Sequence, residues 1–141
     1  MRTAVVLFVL CLPPALVVAD DKDAKPLSPA EAAKNIDKKC TVEMEVKSTG
    51  KSGNRTVFLN SEANFRDGKN FTVMLGRGVL AKYKKVKVED AAEHFKGKTI
   101  RVTGTVKLYR NKPEIVVDDP SQITVVEKKD GAKKETKDGK K

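Results

Sequence analysis

Lys98 to Glu127 reads KTIRVTGTVKLYRNKPEIVVDDPSQITVVE, and the fold turns on this stretch. Ile100, Val102, Val106 and Leu108 alternate with Arg101, Thr103, Thr105, Lys107 and Tyr109. That is the period-two pattern of a strand with one buried face. Gly104 stands where the alternation expects a side chain, as happens where a strand bends or bulges at a barrel corner. Arg110-Asn111-Lys112-Pro113 reads as a short polar turn, and Glu114 to Asp118 as the returning strand. Asp119-Pro120-Ser121 breaks that return and Ile123 to Val126 resumes it. A long, bent hairpin of this kind closes a small β-barrel.

Upstream, the chain supplies the other elements such a barrel needs. Val79 to Phe95 has Leu80, Tyr83 and Val86 at helical spacing, interrupted near Val88, which predicts a helical connection in two short pieces. Phe71 to Leu75 and Arg55 to Asn60 read as strands, separated by turn residues from Ser61 to Asn70. Thr49 to Asn54 (TGKSGN) predicts a Gly-rich loop. Lys38 to Ser48 alternates Cys40, Val42, Met44 and Val46 against Thr41, Glu43, Glu45 and Lys47, predicting another strand. Pro29 to Ile36 reads as a short helix with Ser28 as N-cap, Pro29 at its first position and Glu31 three residues after the cap.

The segments FKGKTIRVTG (Phe95 to Gly104) and LYRNKPEIVV (Leu108 to Val117) resemble the last two strands of OB-fold domains of the nucleic-acid-binding, tRNA-anticodon-binding-like kind. There a G-K-x-V-x-V-x-G-x-V strand precedes a Y-R-G-x-P-x-I-x-V return. The resemblance covers about Pro29 to Glu127. It implies an all-β fold: a five-stranded Greek-key barrel with a short N-terminal helix and a helical connection between strands three and four.

The flanking segments differ in kind. Met1 to Ala19 places Arg2 before the apolar run Ala4 to Leu12, then Pro13-Pro14 and Val17-Val18-Ala19. This pattern predicts a signal peptide cleaved after Ala19, hence a secreted or periplasmic protein with no membrane span in the mature chain. A charged linker, Asp20 to Ser28, follows. Lys128 to Lys141 has seven lysines, three acidic residues and no apolar residue larger than alanine, which predicts a disordered tail. Pro29 to Glu127 carries nineteen basic against thirteen acidic residues. Such an excess suits a polyanion partner, and equally plain solubility. After cleavage Cys40 is the one cysteine left, so no intramolecular disulfide can form and a small buried hydrophobe is its expected role.

Catalysis finds no support in these residues. The single His94 has no second His or Cys with which to hold a metal, Gly76-Arg77-Gly78 lacks the helix-opening context of a phosphate loop, and there is no nucleophile motif. No enzyme, metal or cofactor is expected.

Binding has a better case. The resemblance implies single-stranded DNA or RNA, or another polyanion, on the face of strands two and three between the first and last hairpin loops. Lys51 and Arg55 lie on one side and Arg110 and Lys112 on the other, with Phe58, Asn60, Thr72 and Met74 on the face, if Val57, Leu59, Phe71, Val73 and Leu75 fill the barrel. A one-residue slip in register would put Phe58 in the core instead. Tyr109 shares its side of the fourth strand with Arg101 and Lys107. Glu43 and Glu45 are expected near the bound strand, repelling its phosphates. With few aromatics to stack on, binding should be weak, sequence-tolerant and salt-sensitive. A protein-protein or envelope-associated module is the alternative. Asn54-Arg55-Thr56 and Asn70-Phe71-Thr72 are glycosylation triplets should the chain meet that machinery.

Overall fold

A computed structural model describes residues 25–127; the signal-peptide, linker and tail expectations lie wholly or mostly outside them. The chain runs α1 (Pro29–Ala32), β1 (Lys39–Glu45), β2 (Ser48–Ser52), β3 (Thr56–Asn60), β4 (Thr72–Leu75), α2 (Arg77–Lys85), α3 (Ala91–Phe95), β5 (Thr99–Tyr109), β6 (Lys112–Val117) and β7 (Ile123–Val126). The result is a mostly β domain with one seven-stranded sheet, paired in the order β1-β5-β6-β4-β3-β2, with β7 on β5.

The two ends of that pairing path, β1 and β2, are consecutive in the chain. Val46 and Lys47 make the handover. Val46 donates its N–H to the Lys98 carbonyl beside β5, and Lys47 donates to the Asn60 carbonyl at the end of β3. All pairs are antiparallel except β4 with β6, which run parallel.

The alternation in the sequence sets which face is buried. Val42, Met44, Val57, Leu59, Val73, Leu75, Ile100, Val102, Val106, Ile115 and Val117 all pack into one core, together with Phe71 and Phe95. Gly104 sits inside it. A Cβ there would come 2.6 Å from Ile115 Cγ2 and 3.4 Å from Gln122 Nε2, so no side chain fits without displacing Ile115. It also lies between the β5 segment paired with β7 and the segment paired with β6. The interruption of the return strand is a 3-10 turn, Pro120–Gln122, capped by Asp119. Gln122 ties it to β5 by donating from Nε2 to the Thr103 carbonyl at 2.9 Å.

Several local expectations need correction. Thr49 to Asn54 is not a loop throughout. Ser48–Ser52 pairs residue for residue with Thr56–Asn60, because backbone ladder bonds do not require apolar side chains, and the turn shrinks to Gly53, Asn54 and Arg55, with Gly53 at φ 56°. The last hairpin turn is likewise shorter. Arg110 (φ 48°) and Asn111 (φ 62°) form a two-residue turn, and Lys112 and Pro113 already belong to β6. Leu108 has the buried parity but lies beyond the core, 55% exposed. The first helix stops at Ala32, although its Ser28–Glu31 capping box is present. Cys40 is half-buried against the core rather than inside it, and desolvation raises its thiol pKa.

The helical connection has two pieces, as the sequence pattern expects. Lys87 breaks it at φ 65°. Asp90 then caps α3 by accepting from the backbone of Ala92 and Glu93. Tyr83 and Phe95 meet edge to face at 5.6 Å and seat both helices on the core. Burial, with Asp119 nearby, pushes the Tyr83 hydroxyl up to about 12.

Candidate nucleic-acid interface

The β3–β4 register settles Phe58. It pairs with Met74 and faces away from Val57 and Leu59, so it is half-buried on the outward face and not in the core. The row continues from Gly50 on β2, through Phe58 and Met74, to Val116 on β6. A Cβ at Gly50 would touch the Phe58 side chain at 3.8 Å, an ordinary contact, so the bare glycine leaves this flank of the ring open.

The neighbouring row is polar: Ser48, Asn60, Thr72, Glu114 and Lys107. Asn60 is buried, contrary to its placement as an open contact residue. Its Oδ1 accepts from Thr72 Oγ1 at 3.1 Å and from Asn70 Nδ2 at 3.3 Å. Asn70 is buried too, and its Oδ1 accepts from the Glu62 N–H at 3.2 Å. This network anchors both ends of the 61–70 loop. It also leaves Asn70 unavailable as a glycan acceptor, whereas Asn54 is exposed. Thr72 is half-buried and committed to the same network, and burial raises the Glu114 carboxyl pKa.

One end of the sheet gathers an aromatic and cationic cluster. Tyr109 is 56% exposed at the tip of the β5–β6 hairpin, with the Arg110 guanidinium 5.3 Å from its ring centroid. Phe65, 55% exposed in the 61–70 loop, carries Arg66 at 5.1 Å in the same way. Lys112 joins the two by donating from Nζ to the Phe65 carbonyl at 2.7 Å and the Asp67 carbonyl at 3.1 Å. Lys112 therefore positions a loop rather than standing free for a phosphate. Phe65 and Arg66 were not among the residues the sequence pointed to. Their only signal was an aromatic beside an arginine inside a run of turn residues, where a solvated loop is the ordinary reading.

The remaining candidates are scattered. Arg101 pairs with Glu43 on the β1–β5 side, Nε to Oε2 at 2.7 Å, away from β3 and β4. Glu43 thus balances Arg101 and does not flank the β3–β4 face, which corrects its expected repulsive role; Glu45 lies on the same strand. Lys107 is exposed opposite Glu114. Lys51 and Arg55 sit at the far end of the sheet, and Lys51 is ion-paired with Asp90, lowering the Asp90 pKa chiefly through that hydrogen bond. His94 lies against Phe95, ring centroids 4.8 Å apart, and burial followed by Lys98 lowers its pKa, so it is neutral at pH 7. Among the described residues, no three of His, Cys, Asp and Glu come together as a metal site requires, and no helix is long and apolar enough to cross a membrane.

Comparison with known proteins locates the fold. No protein-family model matches the chain, and no curated protein matches it. Solved structures do. An OBody, AM1L10, bound to hen egg-white lysozyme is 21% identical with a TM-score of 0.50, over 74% of this chain and 95% of that one. Asparaginyl-tRNA synthetase from Pyrococcus horikoshii gives 17% and 0.49, over 72% of this chain and 23% of that one. Aspartyl-tRNA synthetase from Entamoeba histolytica gives 16% and 0.47, over 72% and 21%. The chain thus spans less than a quarter of the synthetases it matches. At these identities the likeness is one of fold alone, and the fold is mostly β and OB-like.

Proposed function

We propose that this chain is an OB-fold binding module for single-stranded nucleic acid, contacted at the hairpin end of its sheet. The observation that carries the reading is the pair of exposed aromatics, Phe65 and Tyr109, each with an arginine over its ring and joined through Lys112. Exposed rings offer faces to bases without regard to sequence, and guanidinium groups at the same spots reach phosphates. Phe58 and Met74 extend the platform across the outward face. Counted by chain segment, β1 with β2, β3, β4, β5, and β6 with β7 make the five strands of a Greek-key barrel in this reading. The leader Met1 to Ala19 directs it to a secreted or periplasmic location, and no catalytic step is assigned to it.

The decisive experiment is a fluorescence-anisotropy titration with labelled single-stranded DNA and RNA at low and near-physiological salt. It uses the full chain and one ending at Glu127, since the seven tail lysines attract any polyanion. Saturable binding by both chains that Phe65→Ala and Tyr109→Ala weaken supports the reading. Absence of binding by the shorter chain at low salt rejects it.

A second reading, a protein partner, rests on Phe65 in the 61–70 loop and Leu108 and Tyr109 at the end of β5, all more than half exposed. Aromatic anchors of this kind also carry protein interfaces, and the OBody of similar fold is bound to a protein. Binding of a protein that survives salt, with no response to oligonucleotides, favours it.

A further inference from the structure

The opposite end of the sheet holds a second feature that the strand-binding reading does not use. A cleft of about 490 Å³ opens between the β2–β3 hairpin and the connection formed by α2 and α3. Its apolar lining includes Val57, Leu80, Val88 and Ala91, which pack on or in the core. Basic residues contribute Lys51, Arg55, Arg77 and Lys84, and acidic ones Glu89 and Asp90.

The charges do not cancel. Lys51 and Asp90 satisfy each other. Arg55, Arg77 and Lys84 have no ion pair or side-chain hydrogen bond among the described residues, and Glu89 has none either. Three unpaired cations therefore surround the cleft against one unpaired carboxylate. The difference of two charges matches a phosphate monoester, which carries roughly −1.5 to −2 at pH 7. The volume lies within the roughly 300–1,000 Å³ typical of small-molecule sites and far exceeds a bare phosphate ion. Apolar walls beneath a cationic rim suit a ligand with an apolar or aromatic body and one anionic head.

We infer that this cleft is a binding site for a small organic phosphate of nucleotide size, its phosphate held by Arg55, Arg77 and Lys84 and its ring body lying on Leu80 and Val88. Planar guanidinium groups grip phosphate oxygens in pairs, which is why the two arginines carry most of the recognition. The site is separate from the aromatic end and does not depend on strand binding there.

The test uses the full chain, isotopically labelled for two-dimensional NMR, with adenosine monophosphate as probe and adenosine and inorganic phosphate as controls. Saturable shifts at the amides of residues 53–57 and 77–84, with tighter binding of the monophosphate than of either control, are expected. Arg55→Ala and Arg77→Ala should each weaken binding about tenfold, the loss of one charge-assisted contact. Both side chains are exposed, so the variants' own spectra show that the fold persists. A short oligonucleotide with a 5′ phosphate, set against the same one with a 5′ hydroxyl, separates a strand end from a free nucleotide as the source. Shifts confined to other regions, equal shifts with adenosine, or affinity unchanged in both arginine variants would overturn the inference.

Discussion

The two hairpins of this sheet look alike as sequence, since both tips are short, polar and basic, yet the structure treats their cations differently. At the β5–β6 tip every cation is positioned: Arg110 lies over Tyr109, and Lys112 is bonded to two carbonyls of the facing loop. At the β2–β3 tip Arg55 has no side-chain partner among the described residues, and Lys51 is occupied by Asp90. Positioned rings and cations lose little entropy on binding and so read shape. Unpartnered cations contribute mainly long-range, salt-screened attraction. This difference is why the proposed strand platform is set at the first end and the proposed anion site at the second.

The test with the largest expected effect replaces both rings at the first end. Phe65→Ala with Tyr109→Ala should weaken single-strand binding by about 2–6 kcal/mol, roughly 1–3 for each base unstacked. The slope of log affinity against log salt should hardly change, because no phosphate contact is removed. Arg55→Ala, at the end the strand does not contact, should change single-strand affinity little, and only at low salt, through lost long-range attraction. Anisotropy titrations at several salt concentrations check both, and equal effects at the two ends would break the comparison.

A second test asks whether the 61–70 loop is held ready or merely present. Asn70→Ala removes the amide that bonds Asn60, Thr72 and the Glu62 N–H. A buried network that loses one partner should cost about 1–3 kcal/mol of stability, read as the urea midpoint. Strand affinity should fall as well, although Asn70 is buried and touches no ligand. Loss of stability with full affinity would mean that the loop forms its platform only on binding.

The sequence carried the strands and their buried faces well, because burial follows a period of two and Val57, Leu59, Val73 and Leu75 keep that period without exception. Gly104 was legible for the same reason, as a gap in an otherwise regular inward row. The site was less legible. Asn60 has outward parity but is drawn under by Asn70 and Thr72, and no local pattern encodes a hydrogen bond to a residue ten positions away. Arg101 and Glu43 are 58 positions apart in sequence, and only the β1–β5 register brings them together. Phe65 gains meaning only because Lys112 reaches its carbonyl. Strand pairing set the burial, while side-chain partners across the chain set the chemistry.

Between the two ends lies Glu114, a carboxylate on the outward face opposite Thr72 and Lys107. Burial raises its pKa, so the folded state binds its proton more tightly than the unfolded chain does. Its stabilising contribution is complete below the ordinary carboxylate value and is lost as pH rises through the raised one. Glu114→Gln should therefore match the parent at pH 4 and unfold at a higher temperature at pH 7. It should also bind single strands a few-fold more tightly at low salt, since a negative charge leaves the outward face. A variant that gains no affinity would place the path of the strand away from β6.

The smallest effect separates a fixed from an unfixed cation on one helix. Lys82 and Lys84 are both exposed on α2, but Lys82 Nζ lies 2.6 Å from Asp119 Oδ2 whereas Lys84 lines the cleft with no ion-pair partner among the described residues. The Lys82 hydrogen bond, followed by those from Ser121, holds the Asp119 carboxyl at about 2. A depressed folded value means that the pair stabilises above the ordinary carboxylate range, near pH 4, and that this contribution is lost as pH falls toward 2. Lys82→Ala should therefore lower the unfolding temperature slightly at pH 7 and leave it equal to the parent at pH 2, because an exposed pair contributes little. Lys84→Ala should leave the unfolding temperature unchanged at both values yet weaken the monophosphate probe. If instead Lys84→Ala destabilises the protein while sparing the probe, the free cations of the cleft are serving the fold, and the contrast between the two hairpin tips loses its chemical meaning.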